Sequence, residues 1–343
     1  MKIIDAPDSF KECLSSQEVA AALSRGIRSA LPGCNVVEMP LADGGEGTAA
    51  VLTRALGGRL ECALVSDPLG RPVRAQYGIV GTTAIIETAQ ACGLALLAPD
   101  KRNPLCTGTR GVGELMLAAW NKGCRKFIIG LGGSATCDGG AGMMEVPGIR
   151  DTLSGADFEV LCDVDAPFVG PAGAARIFGP QKGASPADVE LLEKRMTEHA
   201  ARILKETGTD VSSVPGTGAA GGLGGAFMAY FGAALRPGID RVLDMLDFDS
   251  AIADAQLVIT GEGRSDRQTL LGKAPMGVLR RSGSVPVALL SGRVDDRNLL
   301  LRAGFASVLE ASPRDIPPSE ARIPSIAKRN LELAVRKLVL MEK

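Results

Sequence analysis

The sequence is poor in the side chains that most often announce a chemistry. It carries one histidine, one tryptophan, two tyrosines and nine phenylalanines. With a single histidine, His199, a His-centred triad or zinc site would need partners the sequence lacks, so general-base work falls to a carboxylate. His199 sits in the long helix expected after Ser185 and is read as a surface residue of that helix. The few aromatics leave little for stacking single-stranded bases. Lys+Arg 38 and Asp+Glu 39 nearly cancel, and no window has the basic surplus of a duplex binder. Nucleic acid is not expected as a partner. Long apolar runs are also missing. The start, Met1-Lys2-Ile3-Ile4-Asp5, meets an acid too early for a secretory segment. The stretch 85–97 is broken by Glu87 and Gln90 and is too short to span a bilayer. No membrane partner is expected. The eight cysteines contain no C-x-x-C pair and lie in apolar or loop contexts, as reduced thiols do; the cytoplasm is the expected compartment.

What the sequence does have is glycine, 43 residues, against an average of roughly 7%. The excess is clustered and has no repeat period. Clustered glycines mark places where the backbone takes positive φ or approaches something closely. The length favours two domains. A strand over residues 2–6 leads to a capping box, Ser15-Ser16-Gln17-Glu18. Val19, Leu23, Ile27 and Leu31 then give one apolar helix face, ended by Pro32-Gly33. Residues 35–39 form a second strand and residues 46–56 a second helix. From 60 to 88, short β-like runs separated by turn signals suggest antiparallel hairpins. A helix at 111–121, strands at 126–131 and 159–162, and a long helix opened by Ser185-Pro186-Ala187-Asp188 follow. After about 250, strands at 257–260, 285–290 and 307–309 alternate with helices, and an amphipathic helix at 326–340 closes the chain. Two strands in front and three behind make a five-stranded, doubly wound α/β sheet interrupted by an inserted α/β domain. The boundaries are drawn at 1–60 with 251–343 for the outer domain and 61–250 for the insert.

In such a sheet, ligands bind in the loops beyond the carboxyl ends of the strands, and here those loops are unusual. They read Ala6-Pro7-Asp8-Ser9-Phe10-Lys11, Ala42-Asp43-Gly44-Gly45-Glu46-Gly47-Thr48, and Thr260-Gly261-Glu262-Gly263-Arg264-Ser265-Asp266 with Gly272-Lys273. Acid, glycine, hydroxyl and lysine together suit a magnesium–nucleotide site. One such loop is better explained as a turn; three on one predicted face point to a site. In the insert, the strand at 126–131 runs into Gly132-Gly133-Ser134-Ala135-Thr136-Cys137-Asp138-Gly139-Gly140. A glycine turn opening a helix offers free amides to an anion, and tight backbone packing explains it equally well. Lys182, in Phe178-Gly179-Pro180-Gln181-Lys182-Gly183, could meet a phosphate or be simply solvated. Asp163 and Asp165 suit a metal or a turn.

Two familiar signals are discounted. Gly216-Thr217-Gly218-Ala219-Ala220-Gly221 matches a dinucleotide fingerprint, but residues 211–215 are a poor strand and no clear strand precedes Asp240. A P-loop is absent, since Ala274 follows Lys273 and Arg267 stands where the upstream glycine belongs.

These clusters, in this order and with Cys162-Asp163-Val164-Asp165 and Gly218-Ala219-Ala220-Gly221-Gly222 between them, resemble the bacterial glycerate kinases that form 2-phosphoglycerate, over nearly the whole chain. The resemblance implies a flavodoxin-like domain carrying an inserted, restriction-endonuclease-like α/β domain. It implies ATP and Mg²⁺ as cofactors and glycerate as the small-molecule partner, with the oligomeric state, a homodimer included, left open. In this reading, transfer occurs in the cleft between domains. Ser9, Lys11 and Glu262 hold the substrate, and Asp43 or Asp266 accepts the hydroxyl proton. Gly132, Gly133, Ser134, Thr136, Gly139 and Lys182 bind the phosphates, while Asp138 and Asp163 position the metal. The chain departs from the family pattern at Ala166, where asparagine is usual, at Cys137, and in a markedly shortened stretch between Gly142 and Glu159. The shortening leaves open a 3-phosphoglycerate-forming kinase or a catalytically impaired paralogue. A nucleotide-cofactor oxidoreductase built on the Gly216 signal is the remaining rival.

Overall fold

A computed structural model of the protein describes residues 1–341. Along the chain, the strands are β1 (Lys2–Asp5), β2 (Asn35–Glu38), β3 (Arg59–Ser66), β4 (Pro72–Val80), β5 (Thr83–Glu87), β6 (Lys126–Gly130), β7 (Asp157–Leu161), β8 (Ala234–Arg236), β9 (Leu257–Thr260), β10 (Arg264–Ser265), β11 (Val287–Ser291), β12 (Arg293–Val294) and β13 (Ser307–Glu310). They fall into two compact units. Residues 1–43 and the chain from 239 onward make the first; residues 44–238 make the second. Among the described residues, no helix is long and apolar enough to cross a membrane.

The first unit is a five-stranded parallel sheet in the order β13-β11-β9-β1-β2. Numbered along this unit, that is 2-1-3-4-5, the flavodoxin-like order, with its switch point between β1 and β9. The expected split sheet is therefore found. The central strand β9, Leu-Val-Ile-Thr, is buried throughout, as a parallel strand covered on both faces should be. On one face, Ile3 and Ile259 pack with Leu23 and Ile27 of the helix Ser16–Ala30 and with Leu331 and Val335 of the helix Pro324–Met341. The first of these helices starts at the expected capping box, in which Ser15 and Glu18 satisfy each other's backbone N–H groups. Glu18 also accepts a hydrogen bond from Lys328 at 2.9 Å, tying the two helices together. Gly26 permits their close approach, because a Cβ there would stand 2.4 Å from Val335 Cγ1 and 2.7 Å from the Glu332 carbonyl oxygen.

The second unit is a six-stranded sheet in the order β3-β4-β5-β6-β7-β8. The first three strands are antiparallel, as the hairpin texture foretold, and β5 to β8 are parallel. The helix Thr48–Ala55 packs on β3, β4 and β5. That packing moves the boundary from the expected 60/61 back to 43/44, and the far boundary lies at 238/239 instead of 250/251. Phe127 stacks on Phe158 with ring centroids 4.7 Å apart at the heart of the core. Trp120, Tyr77 and Tyr230 all belong to this unit, and the Arg125 guanidinium lies 3.7 Å over the Trp120 ring. The shortened stretch is closed by two small helices, Ala141–Met144 and Ile149–Thr152. Ile149 and Leu153 are buried, and β7 keeps a full five-residue register with β6.

One core residue resists its surroundings. Asp5, in β1, is fully buried, and neither carboxylate oxygen has a hydrogen-bond partner. Burial, reinforced by Glu38 opposite it in β2, raises its pKa well above the ordinary carboxylate range. In acid, both folded and unfolded chains hold this proton at no cost to folding. As pH rises past the ordinary range, the unfolded chain loses it first, so folding must take one up and stability falls. Asp5→Asn should therefore gain melting temperature relative to the parent as pH is raised from 5 to 8. A constant difference across that range would contradict a buried, protonated Asp5.

Candidate functional site

The first unit gathers its polar residues beyond the carboxyl ends of the strands that flank the switch point. Backbone hydrogen bonds lace these loops together. Asp8 N–H donates to the Gly261 carbonyl at 2.9 Å, and Leu41 N–H donates to the Pro7 carbonyl at 2.8 Å. The loops after β1, β2 and β9 thereby present Asp8, Asp43 and Glu262 to one cleft of about 730 Å³. Ser9, Lys11 and Lys273 line the same cleft.

Asp8 is only 7% exposed. Burial and then the nearby Asp43 charge push its pKa up to about 8, against the Ser9 N–H, which donates to Oδ1 at 2.7 Å, and the Lys11 ammonium. A carboxyl group that keeps its proton at neutral pH beside a second carboxylate is the arrangement of an acid–base pair. Asp8 stood in the first loop motif without being assigned a role. Its signal was there: an acid directly after the apolar strand and a proline.

Glu262 is also 7% exposed, and much of its hydrogen-bonding capacity is spent internally. Oε1 accepts from Thr269 Oγ1 at 2.6 Å and from Ser265 Oγ at 3.2 Å, while Oε2 pairs with Lys273 Nζ at 3.1 Å. It faces the cleft as part of a network that also fixes Lys273. Asp266 is placed differently from Asp43. It does not line the cleft; its carboxylate accepts from Gln268 N–H at 2.8 Å and caps the short helix Arg267–Leu271. An Asp-x-x-Thr start is the residue pattern of such a cap.

In the second unit, the glycine loop follows β6. Gly132 meets backbone: a Cβ there would lie 2.7 Å from Gly45 Cα. Gly133 is exposed, whereas Ser134, Thr136 and Gly139 are buried. Lys182, expected to be solvated or on a phosphate, is 2% exposed and points into the protein. It donates to Ser134 Oγ at 2.9 Å and to the Thr136 carbonyl at 2.7 Å, and burial lowers its pKa. The Gly132 N–H is directed at the Gly44 carbonyl at 3.5 Å, so the loop offers its backbone at the exposed Gly133, while its side chains and Lys182 brace it from within.

The expected metal pair does not form a metal centre. Asp138 Oδ2 accepts from Thr109 N–H and Oγ1 and from Gly142 N–H, and Oδ1 accepts from Gly140 N–H. It is a structural staple. Asp163 Oδ1 accepts from Gly238 N–H at 2.7 Å. Among the described residues, no group of three or more His, Cys, Asp or Glu could hold an ion. His199 is a further correction. It is 8% exposed, against the surface position expected, with Nε2 donating to the Gly139 carbonyl at 3.2 Å and its ring 6.3 Å from Phe168. Burial lowers its pKa, so it supports the loop as a neutral donor.

The Gly216 signal opens no dinucleotide site. No strand precedes it, and Gly218 N–H is spent on the Ala166 carbonyl at 2.9 Å. Ala166, a departure from the family pattern, thus contributes through its backbone. Cys137 is buried against Ala175 and Leu192. A three-residue strand, β8, does precede Asp240, too short and too charged to show in the sequence.

Comparison with known proteins gives a consistent answer. The model of the glycerate kinase family matches residues 3–154 and 144–342. The two matches share residues 144–154. The chain is 44% identical to the glycerate kinase of Bacillus subtilis (strain 168), over 94% of this chain and 93% of that one. It is 44% identical to the glycerate 2-kinase of Escherichia coli (strain K12), over 86% of each. A crystal structure assigned to glycerate kinase 2 of Salmonella typhimurium LT2 superposes with a TM-score of 0.86 at 39% identity, covering 99% of this chain and 98% of that one. With the flavodoxin-like sheet, the carboxylate-lined cleft and the braced glycine loop, these matches make the chain an enzyme of the glycerate kinase family.

Proposed function

We propose that this enzyme transfers the γ-phosphoryl group of ATP to the 2-hydroxyl of D-glycerate, giving 2-phosphoglycerate and ADP. The observation that carries the proposal is the pairing of Asp8 and Asp43 in the first unit's cleft. The hydroxyl oxygen attacks γ-phosphorus, the bond from γ-phosphorus to the bridging oxygen breaks, and the hydroxyl proton passes to Asp43. Asp8, already protonated, donates a hydrogen bond to the acceptor without adding charge beside an anionic substrate. Ser9 and Lys11 hold the glycerate carboxylate, and the Glu262 network keeps Lys273 in place at the same cleft. The name of the Escherichia coli relative supports the 2-position. The backbone N–H of Gly133 is the proposed contact for a phosphate oxygen. Asp138 does not fit as a metal ligand, so magnesium is taken to arrive on the ATP phosphates, whose charge it neutralises. Cytoplasmic residence fits a reaction that consumes ATP. The unbroken β6–β7 register supports an active enzyme over an impaired paralogue.

Purified protein with ATP, Mg²⁺ and D-glycerate should form ADP only when glycerate is present. Phosphorus NMR should show a phosphate ester on C2. A 3-phosphate would overturn the regiochemistry, and absence of glycerate-dependent ADP would overturn the function.

The two cleft aspartates should separate cleanly. Asp43→Asn should lower turnover by about 10²–10⁴-fold. Asp8→Asn mimics the protonated acid and should retain most activity at pH 7. In the parent, kcat/KM for glycerate should fall as pH rises through about 8, where Asp8 loses its proton. Asp8→Asn should abolish that fall. Equal losses in both variants, or an unchanged profile, would remove Asp8 from this role.

Lys182→Met tests the bracing of the glycine loop. With Ser134 Oγ and the Thr136 carbonyl deprived of their donor, stability should drop by about 1–3 kcal/mol in urea unfolding. KM for ATP should rise while KM for glycerate holds. A solvated lysine would move neither quantity.

A further inference from the structure

The cleft of the first unit is too large for a three-carbon acid. At about 730 Å³ it lies within the range that encloses whole drug-sized ligands, and its two ends differ in chemistry. The carboxylates and lysines described above occupy one end. The other is walled by Ala311, Pro313, Ile316, Pro318 and Ala321, from the segment that leaves β13 and leads to the helix Pro324–Met341. Polar groups do reach this end, but they are tied to one another. Cys13 Sγ donates to the Arg322 carbonyl at 3.1 Å, and the Arg322 guanidinium pairs with Glu12 at 3.4 Å. Glu310 lines the cavity paired with Arg314 at 3.0 Å, Ser312 adds a hydroxyl, and the rest of what faces this end is a set of short aliphatic side chains and proline rings.

We propose that this apolar end seats the purine ring of the nucleotide, so that ATP is recognised by the first unit through its base. The proposal rests on the kinase reading, which requires a second substrate besides glycerate. Three observations converge on it. The lining suits a flat, weakly polar ring, with aliphatic and proline walls and the Ser312 hydroxyl beside them. The same cavity continues to Lys273, a cation suited to the charged remainder of a nucleotide. Its position is also that of a nucleotide site, since the cleft lies beyond the carboxyl ends of β1, β9, β11 and β13 in a sheet of flavodoxin-like order. A three-carbon acid, polar at every carbon, has nothing to place against Ile316 and the prolines.

The test uses the full-length enzyme and two probes. Ile316→Asp puts a charge into the apolar end, and Ala321→Trp fills it. Both residues are half-buried in an irregular or short helical segment outside the sheet, and melting curves will verify folding. Steady-state kinetics should show KM for ATP raised at least about tenfold in each variant, with KM for glycerate within about twofold of the parent. Adenosine, which has no phosphate, should give a saturation-transfer NMR signal with the parent that both variants lose. A rise in glycerate KM without a change in ATP KM assigns the apolar end to the acceptor and overturns the proposal. So does an ATP KM that neither variant alters. If the parent forms no glycerate-dependent ADP yet binds adenosine in a manner that Ile316→Asp abolishes, the choice of acceptor fails and the base site stands.

Discussion

The arrangement of the first unit depends on one constraint: β1 is hydrogen-bonded between β2 and β9, all three parallel. Parallel neighbours deliver their loops at the same end of the sheet, and the reversal of strand order beside β1 leaves a crevice there. The Asp8–Gly261 and Leu41–Pro7 backbone hydrogen bonds hold the three loop starts at fixed spacing. Acids in those loops are then forced together. The raised pKa of Asp8 is a direct result, since ionising it would place a second negative charge beside Asp43 in a site poor in water. The helices, the Gly26 contact and the capping box all serve to keep this sheet end rigid.

The second unit uses similar residue types for a different purpose. In the first unit, lysine and acid line a cavity. In the second, Lys182 and Asp138 turn inward and spend their bonds on the glycine loop itself. At its start the loop has no side chain to pack, because Gly132 must leave room for the Gly45 backbone. Its shape is instead imposed by a buried ammonium on one side, a four-donor carboxylate on the other, and His199 at the Gly139 carbonyl. Buried polar groups of this kind are costly when unpaired, so the loop has little freedom to relax.

Much of the architecture was legible in the sequence. Continuous apolar runs announced β1, β6, β9 and β11, and the turn signals after Ser66 announced the hairpins of β3 to β5. The helix Ala219–Phe231 was not anticipated: it holds four glycines and four alanines, and Ala220, Gly221 and Gly222 adopt left-handed backbone within it. The loops that carry the candidate site were legible as loops, because glycine beside acid at a strand end is a local signal. The direction of each side chain was not. A lysine after Pro180-Gln181 looks the same whether it meets solvent, a ligand or the Thr136 carbonyl, and an aspartate that caps a helix looks like one that takes a proton. Those choices are made by residues distant in sequence, as Asp8 and Asp43 illustrate.

The distribution of aromatic rings has an optical consequence. The only tryptophan and both tyrosines lie in the second unit, so the unit that carries the carboxylate cleft contributes almost nothing to near-ultraviolet absorption or intrinsic emission. Fluorescence-monitored denaturation of the native chain will follow the packing around Trp120 and Arg125 and be blind to the flavodoxin-like sheet. That silence is also an opportunity: a single tryptophan introduced into the first unit, in a chain whose Trp120 has been replaced by phenylalanine, would report on that unit against a dark background.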